Sequence, residues 1–141
     1  MLAYMKKFIL ILLLINFPIM AVNSGPLEKY LWKNRVIVTF SPSKINFERN
    51  KFLNSMNKNL CDFNARNIIH IDLILNTNKQ EIKIFERSFG NLSLSPIEFR
   101  LILIGKDGGI KLNSKKTSIK DIFNLIDTMP MRKEEMVKDK C

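Results

Sequence analysis

Residues 35–44 read Arg35-Val36-Ile37-Val38-Thr39-Phe40-Ser41-Pro42-Ser43-Lys44, and their pattern decides the fold. Arg35 to Phe40 is β-branched and apolar and stops at Ser41-Pro42-Ser43, which predicts a buried strand ended by turn residues. From Phe47 to Phe63, the residues Phe52, Leu53, Met56, Leu60 and Phe63 recur at helical spacing and form one apolar stripe. Cys61 lies far from the centre of that stripe on the helical wheel, so an accessible thiol is expected there. Asn67 to Leu75 is dense enough in Ile and Leu for a second strand buried on both faces, as in a parallel pair. Strand, helix, strand implies a right-handed crossover.

Thr77 to Phe89 fits two periods, because Ile82-Lys83-Ile84-Phe85 alternates weakly while Ile82, Phe85 and Phe89 suit a short helix; the helix is preferred. After Pro96, Phe99 to Ile104 reads as a third strand, and Lys106-Asp107-Gly108-Gly109 is turn chemistry leading into Ile110-Lys111-Leu112 as an antiparallel hairpin. Ser118-Ile119-Lys120-Asp121 has capping-box spacing, and Ile119, Ile122, Phe123, Ile126 and Met129 share one face before Pro130. The order β-α-β-α-β-β-α places the chain in the α/β class on a thioredoxin-like plan, a central mixed sheet of about four strands with flanking helices. Residues 131–141 are expected to be a charged tail that leaves the core.

Residues 1–24 are read apart from the domain. Lys6 and Lys7 precede an apolar run from Phe8 to Ile15, resumed from Phe17 to Val22, and Val22 and Ser24 give the small-residue pattern of a cleavage point before Gly25. That is the layout of a secretory signal, with an uncleaved anchor over residues 8–22 as its rival. The domain is then 25–130, exported to a periplasm or secreted, and a membrane partner enters only if the signal stays attached. The remaining 117 residues carry 21 basic and 13 acidic groups, a formal charge of +8. A chain of that length buries roughly two thirds of its unfolded surface, enough for one core.

Three stretches resemble a known family. Leu31-Trp32-Lys33-Asn34-Arg35 leading into Phe40-Ser41-Pro42-Ser43, then Leu103-Ile104-Gly105-Lys106-Asp107-Gly108-Gly109-Ile110-Lys111-Leu112, and Ile126-Asp127-Thr128-Met129-Pro130-Met131-Arg132 look like the domain of unknown function 4174 family. The resemblance spans nearly the whole mature chain and implies a thioredoxin-like fold in small exported proteins, similar to the last domain of sushi-repeat extracellular proteins. It implies no catalytic residues.

The chemistry that the fold usually carries is missing from the sequence. A thioredoxin-type oxidoreductase needs Cys-x-x-Cys where the first strand meets the first helix, because the helix terminus lowers the thiol pKa. Ser41-Pro42-Ser43-Lys44 occupies that position, so dithiol exchange there is excluded and a peroxidatic thiol is absent from the same region. The two cysteines, Cys61 and Cys141, would close 80 residues if bridged. An exported chain favours a bridge, worth about 4 to 5 kcal/mol in the chain-entropy model, but free or intermolecular thiols are equally compatible with the spacing. His70 is the one histidine and has no triad partner visible in the sequence, so a structural role is expected. No cysteine, histidine and carboxylate spacing suits a metal, and no cofactor is expected. Lys106-Asp107-Gly108-Gly109 lacks the spacing of a phosphate loop, and no nucleophile elbow surrounds Ser41 or Ser43.

A non-catalytic binding or envelope-associated module is therefore the leading expectation. Its candidate surface is Ser41, Pro42, Ser43 and Lys44 with Arg100, whose guanidinium suits a carboxylate or another anion. Its partner would be an unknown protein or an anionic envelope component. Nucleic acid is a poor partner for an exported chain whose basic residues are not interleaved with aromatics. A thiol redox protein using Cys61 is one alternative. The other is a basic structural protein that binds anionic envelope polymers through Lys106, Lys111, Lys115, Lys116 and Lys120.

Overall fold

The computed structural model describes residues 25–90, 92, 94, 98–138 and 141; the expected leader over residues 1–24 and Pro96 lie outside them. A short 3-10 turn (Glu28–Tyr30) leads into β1 (Arg35–Ser41), α1 (Phe47–Lys58), α2 (Leu60–Ala65), β2 (Ile68–Ile74), α3 (Lys79–Ser88), β3 (Arg100–Ile104), β4 (Ile110–Ser114), α4 (Ile119–Asp127) and α5 (Pro130–Met136). The sheet runs β2-β1-β3-β4. β1 and β2 are parallel, while β1–β3 and β3–β4 are antiparallel. This is the mixed four-stranded α/β arrangement that the element order predicts.

Alternation along β1 builds two cores, because successive side chains leave opposite faces. Ile37 joins Phe52, Phe63, Leu101, Leu103, Ile122 and Ile126 beneath α1, α2 and α4. Val36, Val38 and Phe40 join Leu73, Ile82, Phe85 and Ile102 beneath α3. Burial of β1 along its whole length is the consequence.

Two expectations are corrected by local chemistry. The helix expected over Phe47 to Phe63 is broken at Asn59, whose backbone N–H returns to the Met56 carbonyl and whose side chain donates to the Ser55 carbonyl at 2.7 Å. The break lets Phe52 and Phe63 meet edge to face at 6.4 Å, and it leaves Leu60, an expected core residue, 52% exposed. A continuous helix could not bring both about, since its stripe has a fixed angular order.

Of residues 131–141, expected to leave the core, the described ones from Met131 to Met136 form most of a helix held against it. Pro130 begins α5 at a position that needs no amide donor, and Arg132 is 1% exposed. Asp127 accepts from Arg66 Nε and NH2 at 3.1 and 2.7 Å and from Arg132 Nε at 3.0 Å. Glu135 accepts from Arg35 NH1 at 2.9 Å and Lys106 Nζ at 2.5 Å. Cys141 is disulfide-bonded to Cys61, with Cα atoms 6.0 Å apart, so the accessible thiol expected at Cys61 is not found.

The bridge spans 80 residues, and loop-closure entropy gives it about 4 to 5 kcal/mol. Reduction, or the double change Cys61→Ser and Cys141→Ser, is expected to lower unfolding free energy by about that amount. Urea melts of oxidised and reduced protein measure the difference. Equal midpoints would show that the bridge adds no net stability.

Candidate functional site

Ser41, Pro42, Ser43 and Lys44 follow one another at the carboxyl end of β1, and the antiparallel register sets Arg100 opposite Phe40. The sheet thus brings the expected surface residues to one end. Ser41 is buried, Pro42 and Ser43 are half-buried, and Lys44 is exposed. Arg100 NH1 donates to Asn113 Oδ1 at 3.0 Å across β3–β4. Beside Lys44, Ile45 and Phe47 are 87% and 73% exposed, a pair of apolar side chains that helical periodicity alone does not single out.

Arg49 fixes this loop. Its NH1 donates to the Lys44 carbonyl at 2.9 Å, and its Nε and NH2 form a bidentate pair with Asp72 Oδ2 at 2.9 and 2.5 Å. The Asn46 side chain caps α1 by accepting the Arg49 amide at 3.0 Å. One guanidinium therefore connects the loop, the first turn of α1 and β2.

Behind it, Thr39, His70 and Asp72 share the face beneath α1. Thr39 Oγ1 donates to Asp72 Oδ1 at 3.0 Å and lies 2.9 Å from His70 Nε2. A hydroxyl has one proton, so with that proton on Asp72 the imidazole must donate from Nε2. His70 then carries a proton on Nε2, and its ring is held edge to face on Phe52 at 5.3 Å. Thr39 is fully buried, and its neighbours restrain it more than they prepare it for attack. The sequence conceals these partners because they meet only through the parallel register that sets Thr39 beside Asp72. The visible signal is His70-x-Asp72, two polar residues on one face of an otherwise apolar strand.

The cysteines stand elsewhere. The Cys61–Cys141 bridge lies with Asn64, Ala65, Asn67 and Glu135, near the start of β1, about 20 Å from Ser41 at strand rise. The expected basic patch is also divided. Lys106 and Lys111 sit at the turn end of β4 and pair with Glu135 and Asp107, whereas Lys115 sits beyond the opposite end and pairs with Glu98. Asp107 and Glu98 are lowered from their ordinary carboxyl pKa chiefly by hydrogen bonds from Lys111 and Lys115, respectively.

Burial, the largest influence on His70, lowers its pKa from 6.5; Asp72 opposes this and Arg49 reinforces it. The unfolded chain therefore binds a proton more readily than the folded one. This contribution to stability is flat above pH 6.5 and is lost as pH falls from there through the lower folded pKa. The slope should not exceed about 1.4 kcal/mol per pH unit. His70→Gln should flatten that limb and leave a more acidic one, since Asp127 and Glu135 also sit below their ordinary values. For both carboxyls burial is the largest influence and acts upward, but the combined Arg and Lys partners outweigh it. Urea midpoints measured across the acid range, wild type against His70→Gln, separate the two limbs.

Solved structures similar to this one share its fold at low sequence identity. The reduced Plasmodium vivax 2-Cys peroxiredoxin aligns at a TM-score of 0.58 and 15% identity, covering 77% of this chain and 84% of that one. Plasmodium yoelii thioredoxin peroxidase I aligns at 0.56 and 19%, covering 82% of each. The likeness establishes a thioredoxin-like architecture and carries no catalytic residue across. Residues 26–135 match the family described as "Domain of unknown function (DUF4174)", and with most of its length so matched, the chain belongs to that family.

Proposed function

We propose that this chain is an exported, disulfide-stapled binding module that holds an extended segment of a partner protein on the loop after β1 and performs no thiol chemistry. The observation that carries the reading is the exposure of Ile45, at the end of the loop that Arg49 holds in place, and of Phe47, the first residue of α1, 87% and 73% respectively. Large apolar side chains kept in water beside one another mark a contact surface more than a solvated loop does. Arg100 supplies a cation at the same end of the sheet.

Two further features support it. Ser41 and Ser43 stand where thiols of this fold act, and neither can form a mixed disulfide. Both cysteines are joined to each other near the opposite end of β1. A structural bridge fits an oxidising compartment, which agrees with export behind a leader over residues 1–24.

Peroxide consumption and disulfide reduction are expected to be absent from oxidised protein, pre-reduced protein and Cys61→Ser alike. Turnover that requires Cys61 would replace this reading with the thiol redox one. A photo-crosslinking residue at position 47 should capture a discrete partner in the native host, whereas one at position 137, where Val137 is 86% exposed, should not. Equal capture from both positions, or none from position 47, would remove the loop as the binding surface. Intact mass of the recovered protein checks export: a chain starting near Gly25 with no alkylatable thiol is expected.

A further inference from the structure

Trp32 and Arg35 lie close in sequence, and they stand in the wall of one cleft at the end of the sheet opposite Ser41. The cleft has a volume of about 380 Å³, within the range of small-molecule sites. Trp32 is 68% exposed and has a φ of 62°, the left-handed region that bulky residues rarely occupy. Its backbone N–H donates to the Lys106 carbonyl at 2.7 Å. An aromatic ring is thereby held at the surface by a constrained backbone instead of packing inward. Met129 and Met131 supply further apolar wall.

The polar side of the cleft is cationic. Arg35, Lys106 and Lys111 line it, with Asp107 as the acid among the lining residues. Arg35 is 1% exposed. Its NH1 donates to Glu135 Oε2 and to the Arg66 carbonyl, both at 2.9 Å. Among the described residues, no acceptor meets its Nε or NH2. Buried guanidinium donors are ordinarily paired, and an arginine fork suits the oxygens of a carboxylate or phosphate. Glu135 is shared by Arg35, Lys106 and, at 3.7 Å, Arg132. Arg132 is also paired with Asp127, so at the cleft Arg35, Lys106 and Lys111 face two carboxylates, Glu135 and Asp107, and the balance there is positive by one charge.

We infer that the cleft binds a small organic anion, with its oxyanion directed to Arg35 and Lys111 and a flat apolar body lying against Trp32, Met129 and Met131. Lys111 pairs with Asp107 at 2.7 Å on the exposed turn, so it can turn toward a ligand at little structural cost. Asp107 disfavours large polyanions, whose charge it would meet. This site is separate from the loop after β1, and either can fail without the other.

Trp32 is the single tryptophan of the chain, so its fluorescence reports on the cleft directly. The full disulfide-bonded protein is titrated with phenylacetate, phenyl phosphate, inorganic phosphate and benzyl alcohol. A saturable change with phenylacetate or phenyl phosphate is expected, and the stronger of the two identifies the oxyanion. Lys111→Ala should weaken it by about tenfold, the loss of one charge-assisted hydrogen bond. Lys115→Ala, beyond the other end of β4, should leave it unchanged. Arg35→Lys should also weaken binding, and because Arg35 contacts Glu135, its fold is checked by far-ultraviolet circular dichroism; Lys111→Ala keeps the test independent of that variant. No saturation by either aryl anion up to about 1 mM would overturn the inference. So would equal binding by Lys111→Ala, or an equal response to benzyl alcohol, which would mean an apolar patch without an anion site.

Discussion

Two guanidiniums taken almost wholly out of water determine how the ends of this molecule are joined. Arg35 and Arg132 are each 1% exposed, and burying such a charge costs several kcal/mol unless it is paired and hydrogen-bonded. The compensating acceptors come from three segments, the end of α2, α4 and α5. Arg132 donates to the Ala65 carbonyl at 2.8 Å and to Asp127; Arg35 reaches Glu135 and the Arg66 carbonyl; Lys106 joins through Glu135. Arg66 binds Asp62 and Asp127 while its guanidinium lies 4.2 Å from the centre of the Phe123 ring. Removing Glu135 would leave Arg35 without its carboxylate, and removing Asp127 would take one from both Arg66 and Arg132, so β1, the end of α2, the hairpin turn, α4 and α5 are interdependent. The disulfide closes the same end covalently. A thioredoxin-like sheet is thus locked at the start of its first strand and left open to solvent contact at the other end.

Much of the architecture was legible in the sequence because it depends on short-range rules. The run Val36 to Phe40 can only be a buried strand, Ser118 caps the helix that Ile119, Ile122 and Ile126 pack, and Gly108 at φ 81° marks the turn that Asp107-Gly108-Gly109 predicts. The break at Asn59 was not legible, since the apolar stripe continues through it and only tertiary packing of Phe52 on Phe63 selects the bend. The packing of α5 was concealed for a related reason. Composition reads residues 131–141 as a charged tail, but Arg132 and Glu135 find partners dozens of residues away in the chain, and long-range pairing leaves no periodicity. The site residues divide in the same way. The lack of a thiol at Ser41 and Ser43 is a local fact, whereas the bonds of Thr39, His70 and Asp72 follow from the register of two parallel strands.

The charge pattern illustrates the same limit. Five lysines from Lys106 to Lys120 suggest one basic surface when read along the chain. In three dimensions β4 separates them, and Lys106, Lys111 and Lys115 each have a carboxylate. The more exposed pairs of Lys111 and Lys115 add little stability, but all three reduce the field that an anionic polymer would meet. What remains positive is the end of the sheet where Glu135 serves several cations, and there the geometry favours a compact anion over an extended one.

At the opposite end, the relevant property is rigidity. A loop that must be ordered on binding loses conformational entropy with every residue it fixes, and this subtracts from affinity. Between Ser41 and Phe47 much of that ordering is already present. Asn46 caps α1, Arg49 donates to the Lys44 carbonyl, and Asp72 holds Arg49 from β2 by two bonds to one oxygen. Thr39 and His70 in turn restrain Asp72 from beneath. In the binding role proposed above, this network would hold the loop so that Ile45 and Phe47 meet a partner in a prepared position. The buried histidine then matters to function through the stiffness it gives Asp72, by donating from Nε2 to the Thr39 hydroxyl that itself donates to Asp72.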